Sequence, residues 1–239
     1  MQNRARLETA IGYSFRDGQL LDRALTHRSH AKDRSTEEHN ERLEFLGDAV
    51  LELAVSEILM ETYPDYPEGR LTKIRAQLVS ADNLHQEARA LSLGESLNLG
   101  LAEVNSGGRE KKALLADALE AIIAAVYLDG GAAAARALVQ RLIASPPRVS
   151  EADQALARLN PKSTLQELLQ ARKLPPPQYE IIAEHGPPHG RIFEVSLIVG
   201  EICRTTGRGG SKREAEQAAA ARALDDKDLR VAQDISPSR

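Results

Sequence analysis

Tryptophan is absent from this 239-residue chain, and aromatic residues make up only 3% of it. Any core it forms must therefore be mostly aliphatic. A single cysteine, Cys203, excludes an internal disulfide framework and a cysteine-based zinc site. One cysteine also suits a reducing, cytoplasmic compartment. No run of about 18 apolar residues occurs, which argues against a membrane span. The start, Met1-Gln2-Asn3-Arg4, lacks the apolar stretch of an export signal. What remains is ordinary for a soluble protein: 42% hydrophobic and 28% charged residues. The length suits one large domain or two small ones.

There is no overall basic excess either; the formal net charge is −4. The charge is unevenly spread. Residues 1–150 hold 18 Lys and Arg against 22 Asp and Glu, whereas residues 155–224 hold 10 against 7. An acidic N-terminal part and a locally basic C-terminal part fit a metal-binding catalytic domain joined to a module for a polyanion.

Strand-like alternation is missing from the N-terminal part, which reads as all-α over residues 1–144. Periodic segments cover 37–60, 70–91 and 112–128, the last closed by Asp129-Gly130-Gly131, with an Ala-rich helix at 132–143. Ser145-Pro146-Pro147 changes the texture, and 145–160 reads as a linker with a short possible helix near Leu156. Residues 161–225 read as a small α+β module, α-β-β-β-α. It opens with Pro161-Lys162-Ser163-Thr164, breaks at Pro175-Pro176-Pro177, alternates over three strands, and closes on a helix after Gly209-Gly210-Ser211. The polar stretch 226–239 reads as a tail.

The segment 37–60 carries the most information. At about 100° per residue, Glu37, Glu41, Glu44, Asp48 and Glu52 fall within about 80° of one another. Like charges at such spacing destabilise a helix. Leu43, Leu46, Val50 and Leu53 supply the expected core face. Phe45 and Leu51 flank the stripe, and Gly47 sits inside the helix at a cost of about 1 kcal/mol relative to Ala, which suggests a close approach. A second pair, Asp117 and Glu120, lies one turn apart in a helix of nearly all apolar residues. Buried acids need a partner, a proton or a metal. If the two helices pack face to face, Glu44, Asp48, Asp117 and Glu120 converge. Oxygen ligands without His or Cys suit Mg²⁺, with Mn²⁺ as a substitute, and the chemistry that follows is metal-assisted phosphate-ester hydrolysis.

These residues resemble ribonuclease III. The run His39–Asp48 with Ala49-Val50-Leu51 is similar to the family's signature. Ser106-Gly107-Gly108-Arg109 and Leu115–Ala121 resemble its second block, and Leu25-Thr26-His27-Arg28-Ser29 an early segment. The C-terminal module resembles a double-stranded-RNA-binding domain. The resemblance implies a homodimeric endonuclease that cuts duplex RNA to 5′-phosphate and 3′-hydroxyl ends, acting in ribosomal and messenger RNA processing. Carried over by position, Glu44, Asp117 and Glu120 would hold Mg²⁺. Asp48 would complete that cluster and help hold the attacking water, with Glu41 and Glu68 as supporting acids. Phe45 would insert into a socket on the partner subunit.

In the C-terminal module, Thr164, Gln166 and Glu167 on the first helix are candidate contacts to the RNA minor groove. His189, in the turn after the first strand, is another. Lys212 and Arg213 open the last helix and are candidate phosphate contacts. Glu214 departs from the family pattern, which usually has a third basic residue there. His27 and His30 lack further ligands at zinc spacing and read as structural. Arg109, Lys111 and Lys112 are possible backbone contacts. Two rival readings are an all-α nucleoside-triphosphate pyrophosphohydrolase and an RNA-binding protein with a dead nuclease domain. The RNA module speaks against the first, and the full set of four acids against the second.

Overall fold

The computed structural model describes residues 2–36, 38–187, 190–226 and 229. They form two compact units, one of Met1–Pro64 with Leu71–Ser150, the other of Asp65–Arg70 with Glu151–Arg239. The first unit is helical: α1 (Gln2–Ile11), α2 (Gly18–Ala24), α3 (Arg28–Asp33), α4 (Glu41–Thr62), α5 (Glu68–Leu78), α6 (Ala81–Ala90), α7 (Leu93–Ser96), α8 (Leu101–Asn105) and α9 (Lys112–Leu142). Helix α5 begins in the second unit, and α10 (Pro146–Leu159) runs from one unit into the other. The second unit adds α11 (Pro161–Ala171), β1 (Gln178–His185), β2 (Ile192–Val199), β3 (Cys203–Gly209) and α12 (Lys212–Asp225).

Helix α9 is the axis of the first unit. From Leu115 to Val126 every residue except Asp117 and Glu120 is buried. Its length and composition would let it cross a membrane; in this fold its apolar residues meet α4 and α6 instead. The backbone leaves helical geometry at Gly131, where φ is 82°, a conformation that Gly adopts freely. The Asp129-Gly130-Gly131 stop therefore lies where the sequence puts it. The expected helix over 70–91 is two helices. Ser80 takes an extended backbone and its hydroxyl accepts from Asn83 N–H, capping α6.

Helix α4 keeps only Leu43 of the expected core face fully buried. Leu43, Gly47, Leu51, Ala54, Val55, Ile58 and Leu59 are buried, whereas Leu53 is 60% exposed and Leu46 and Val50 are half-buried. The buried arc is rotated so that its edge runs along the carboxylate stripe. Gly47 sets this rotation. A Cβ there would collide with the Glu120 carbonyl oxygen, so α4 meets the α9 backbone directly at that point.

The region 145–160, expected as a linker with a short helix near Leu156, is helical over Pro146–Leu159. Pro146 and Pro147 are the first residues of that helix, and proline is tolerated there because the first N–H groups of a helix have no intrahelical partner. Val149 and Ala152 are buried. Asp153 pairs with Arg70 at 2.7 Å and accepts from the Tyr66 hydroxyl at 3.1 Å, which ties 65–70 to α10 within the second unit.

In the second unit three antiparallel strands run in the order β1-β2-β3, with a bulge in β1 between Ile181 and Ala183. Leu197, Val199 and Cys203 face Leu165 and Leu169 of α11 and Ala219, Ala220 and Ala223 of α12. Cys203 is core packing. Of the expected tail, only Asp226 and Leu229 are described residues.

Replacing Gly47 by Ala tests the α4–α9 contact. The helix gains about 1 kcal/mol of propensity. The collision is with backbone, however, and such overpacking costs about 1–3 kcal/mol or more. Urea unfolding should show a net loss of stability; an unchanged or raised midpoint would mean that the two helices can separate freely.

Candidate active site and RNA-contacting module

The contact at Gly47 places Glu44, in the first turn of α4, beside Asp117 and Glu120 on α9. One carboxylate oxygen from each lies within 4.8 Å of the other two, and all three side chains are half-buried. Burial raises the Glu120 carboxyl to about 7, helped next by the charge of Asp48 and then by Asp117 and Glu44. Burial also raises Glu44, with Asp117 and Glu41 adding to it. Asp117 is raised by burial and partly offset by His27. Three hard oxygen donors that resist shared ionisation form a site suited to a divalent cation, which removes both the repulsion and the desolvation cost.

The other expected acids stand apart from this trio. Asp48 is exposed and its oxygens are not in the group, although its charge reaches Glu120. Glu41 is exposed and accepts from Arg28 Nη1 at 3.3 Å. Glu68 is the exposed first residue of α5 and belongs to the second unit. Glu37 lies outside the described residues. His27 caps α3 by accepting from Ser29 N–H, in keeping with a structural part, and it also lies near enough to Asp117 to influence it electrostatically. Arg109 is a brace: its Nη1 donates to the carbonyls of Gly94 at 2.6 Å and Leu97 at 3.0 Å. Lys111 and Lys112 pair with Glu103 and Asp82, each at 2.5 Å.

On α11 one expected contact is corrected. Thr164 is only 6% exposed, because its position in the helix turns it inward beside buried Leu165. Gln166 is exposed and Glu167 half-buried. Ser163, Gln166 and Gln170 are all exposed and, at spacings of three and four, share one face of α11. That spacing was available in the sequence and marks Ser163 and Gln170 as the missed members of a polar stripe. His189 lies outside the described residues.

Lys212 and Arg213 are exposed in the first turn of α12. Glu214, also exposed, is not a free acid. Its Oε2 accepts from Gly210 N–H at 2.9 Å, while its own N–H donates to Ser211 Oγ at 3.2 Å. This reciprocal arrangement is a form of capping box, and it explains an acid in a turn otherwise built to attract anions.

A family model described as ribonuclease-III-like matches residues 17–146, and one for the double-stranded RNA binding motif matches 161–227. The chain is 46% identical to a protein named ribonuclease 3 from Aromatoleum aromaticum, over 92% of this chain and 95% of that one. The chain belongs to the ribonuclease III family. A ribonuclease 3 from Carboxydothermus hydrogenoformans is 44% identical over 94% of this chain and 95% of its own length. Among solved structures, the nuclease domain of ribonuclease III from Campylobacter jejuni matches with a TM-score of 0.56 and 45% identity, covering 60% of this chain and 95% of that one. A second structure of that domain, described by flexibility in a region involved in dimer formation, gives a TM-score of 0.55 and 46% identity, covering 58% and 94%. Residues 39–48, which resemble the family's signature, span the loop before α4 and its first two turns, beside the α4–α9 contact.

The raised value of Glu120 makes a pH prediction. Its folded-state value of about 7 lies above the ordinary 4.5, so the folded protein binds that proton more tightly than the unfolded chain. Glu120 therefore costs nothing below about 4.5 and costs stability progressively as pH rises through about 7. After discounting for solvent screening, the loss is on the order of 1–2 kcal/mol. Urea unfolding of metal-free protein at pH 5 and pH 8 should show Glu120→Gln gaining on the unsubstituted protein at the higher pH. An equal difference at both values would mean that Glu120 titrates normally.

Proposed function

We propose that this ribonuclease III family enzyme hydrolyses double-stranded RNA with Mg²⁺, leaving 5′-phosphate and 3′-hydroxyl ends. The observation that carries this is the carboxylate trio, held half-buried by an unavoidable helix contact in a chain that also has a double-stranded RNA binding motif. Glu44, Asp117 and Glu120 would hold the ion; Mn²⁺ shares its preference for oxygen donors and could substitute. A bound divalent cation supplies Lewis-acid polarisation of a phosphoryl oxygen and an activated water. Asp48, whose charge acts on Glu120, would help hold that water, and Glu41 would act nearer the RNA backbone. Glu68 is proposed as a further supporting acid. On the C-terminal module Gln166, Glu167, His189, Lys212 and Arg213 are proposed RNA contacts, and the exposed Ser163 and Gln170 replace Thr164. Processing of ribosomal and messenger RNA precursors in the cytoplasm fits an enzyme that cuts by duplex shape. The deciding assay incubates a long duplex RNA with and without Mg²⁺ and analyses the ends. Glu120→Gln should retain duplex binding in a gel shift while losing cleavage by several orders of magnitude. Cleavage at the unsubstituted rate would remove Glu120 from the site.

A homodimer is the proposed working state. Phe45 is 84% exposed, Leu53 60% and Met60 66%, and on α4 these fall within about 80° of arc. Three large apolar side chains on one exposed helix face are what an isolated subunit would otherwise present to water. Phe45→Asp should give a monomer by light scattering at micromolar concentration and lose double-strand cleavage. A stable, active dimer would place the interface elsewhere.

A further inference from the structure

Beside the carboxylate trio, and not containing it, lies a cavity of about 910 Å³. It is lined by His27, Arg28 and Lys32 of the α3 region, by His39 before α4, and by Lys111 and Leu114 at the start of α9. Ser29, Ala31, Ser35, Thr36 and Glu103 complete it. It shares its walls with the trio. Leu114 is one turn ahead of Asp117 on α9, Arg28 bonds Glu41 in the same turn of α4 as Glu44, and His27 interacts electrostatically with Asp117.

We propose that this cavity is an anion subsite that seats a phosphate group of the RNA strand next to the cleavage centre. The assignment rests on the duplex-RNA reading given above. Arg28, Lys32 and Lys111 line the cavity against one carboxylate, Glu103; Lys111 pairs with it at 2.5 Å, which leaves two cations in excess. The Arg28–Glu41 pair is long, 3.3 Å, with side chains 72% and 47% exposed, so Arg28 can exchange Glu41 for a ligand at little cost. Lys32 makes no ion pair with another described residue. His39 lines the wall with its Nδ1 turned away from the cavity, buried and 3.8 Å from the Glu41 carboxylate. A phosphate has oxygens for Arg28 and Lys32 at once. Ser35 adds a hydroxyl from a left-handed backbone, φ 54°, an uncommon conformation for a non-glycine residue and one that often marks ligand sites. The physical need is plain. A polyanion led towards Glu41, Glu44, Asp48, Asp117 and Glu120 is repelled until a metal is in place, and a cationic pocket at the same seam offsets that repulsion.

The test uses the full-length, metal-free protein and inorganic phosphate as probe, with the histidine ring signals followed by NMR. The His27 and His39 signals should shift saturably, while that of His185 in the other unit stays fixed. Lys32→Glu should weaken the apparent affinity about tenfold, the effect of one lost charge-assisted contact. If that variant fails to fold, Lys32→Gln answers the same question, since Lys32 is exposed. Absence of saturable shifts, or shifts unchanged in a folded Lys32 variant, would overturn the subsite. Duplex cleavage by the unsubstituted protein without phosphate-induced shifts removes the subsite and leaves the nuclease reading. Saturable shifts without cleavage support the subsite and remove the nuclease reading.

Discussion

Everything at the candidate centre depends on how closely α4 can approach α9. Gly47 lets the α4 backbone rest against the Glu120 carbonyl, and no other residue type fits without moving one of the helices. That contact fixes the rotation of α4 about its own axis. It turns Leu43, Leu51 and Val55 into the core and brings the edge of the acid stripe to the seam. Glu44 then meets Asp117 and Glu120 where water is partly excluded. The electrostatic strain among the three is a consequence of packing, since the apolar burial of two long helices outweighs the cost of crowding three carboxylates.

The same geometry separates two kinds of work along one helix. One edge of α4 supplies carboxylates to the seam with α9. The exposed face next to that edge carries Phe45, Leu53 and Met60 out to solvent. The carboxylate trio and the exposed apolar face are thus set by one rotation angle, and a change that turned α4 would disturb both. The basic cavity is lined by the α3 region, the loop before α4 and the start of α9, so charges of opposite sign lie close together along the chain.

The C-terminal module is organised by a different economy of space. Alanines at 215, 219, 220 and 223 let α12 lie so close to β3 that a Cβ on Gly207 would strike the Ala215 carbonyl oxygen. The polar residues are left on the outer faces of α11 and α12. Glu214 belongs to the architecture of this unit, because its carboxylate closes the turn that starts α12.

Much of this was legible in the sequence. Helical periodicity and the lack of alternation gave an all-α part, and alternation between Pro and Gly breaks gave the α-β-β-β-α module, because burial on one face imposes periods that composition cannot hide. The acids stood out through like-charge spacing on α4 and apolar company on α9, and Gly47 announced a close approach. Periodicity gives angles around a helix axis, however, and not the direction from which a neighbour comes. Spacing alone puts the core face of α4 on Leu43, Leu46, Val50 and Leu53, and the meeting with α9 keeps Leu43 and turns the rest to Leu51 and Val55. Thr164 shows the same limit, since its inward orientation depends on what packs against α11. Pro146-Pro147 looked like a break, and became the start of α10 because Val149, Ala152 and Asp153 found partners. The sequence by itself determined the element types and the chemistry available. Tertiary structure decided which carboxylates share a site and which stay in water, because that follows from contacts between residues far apart in the chain.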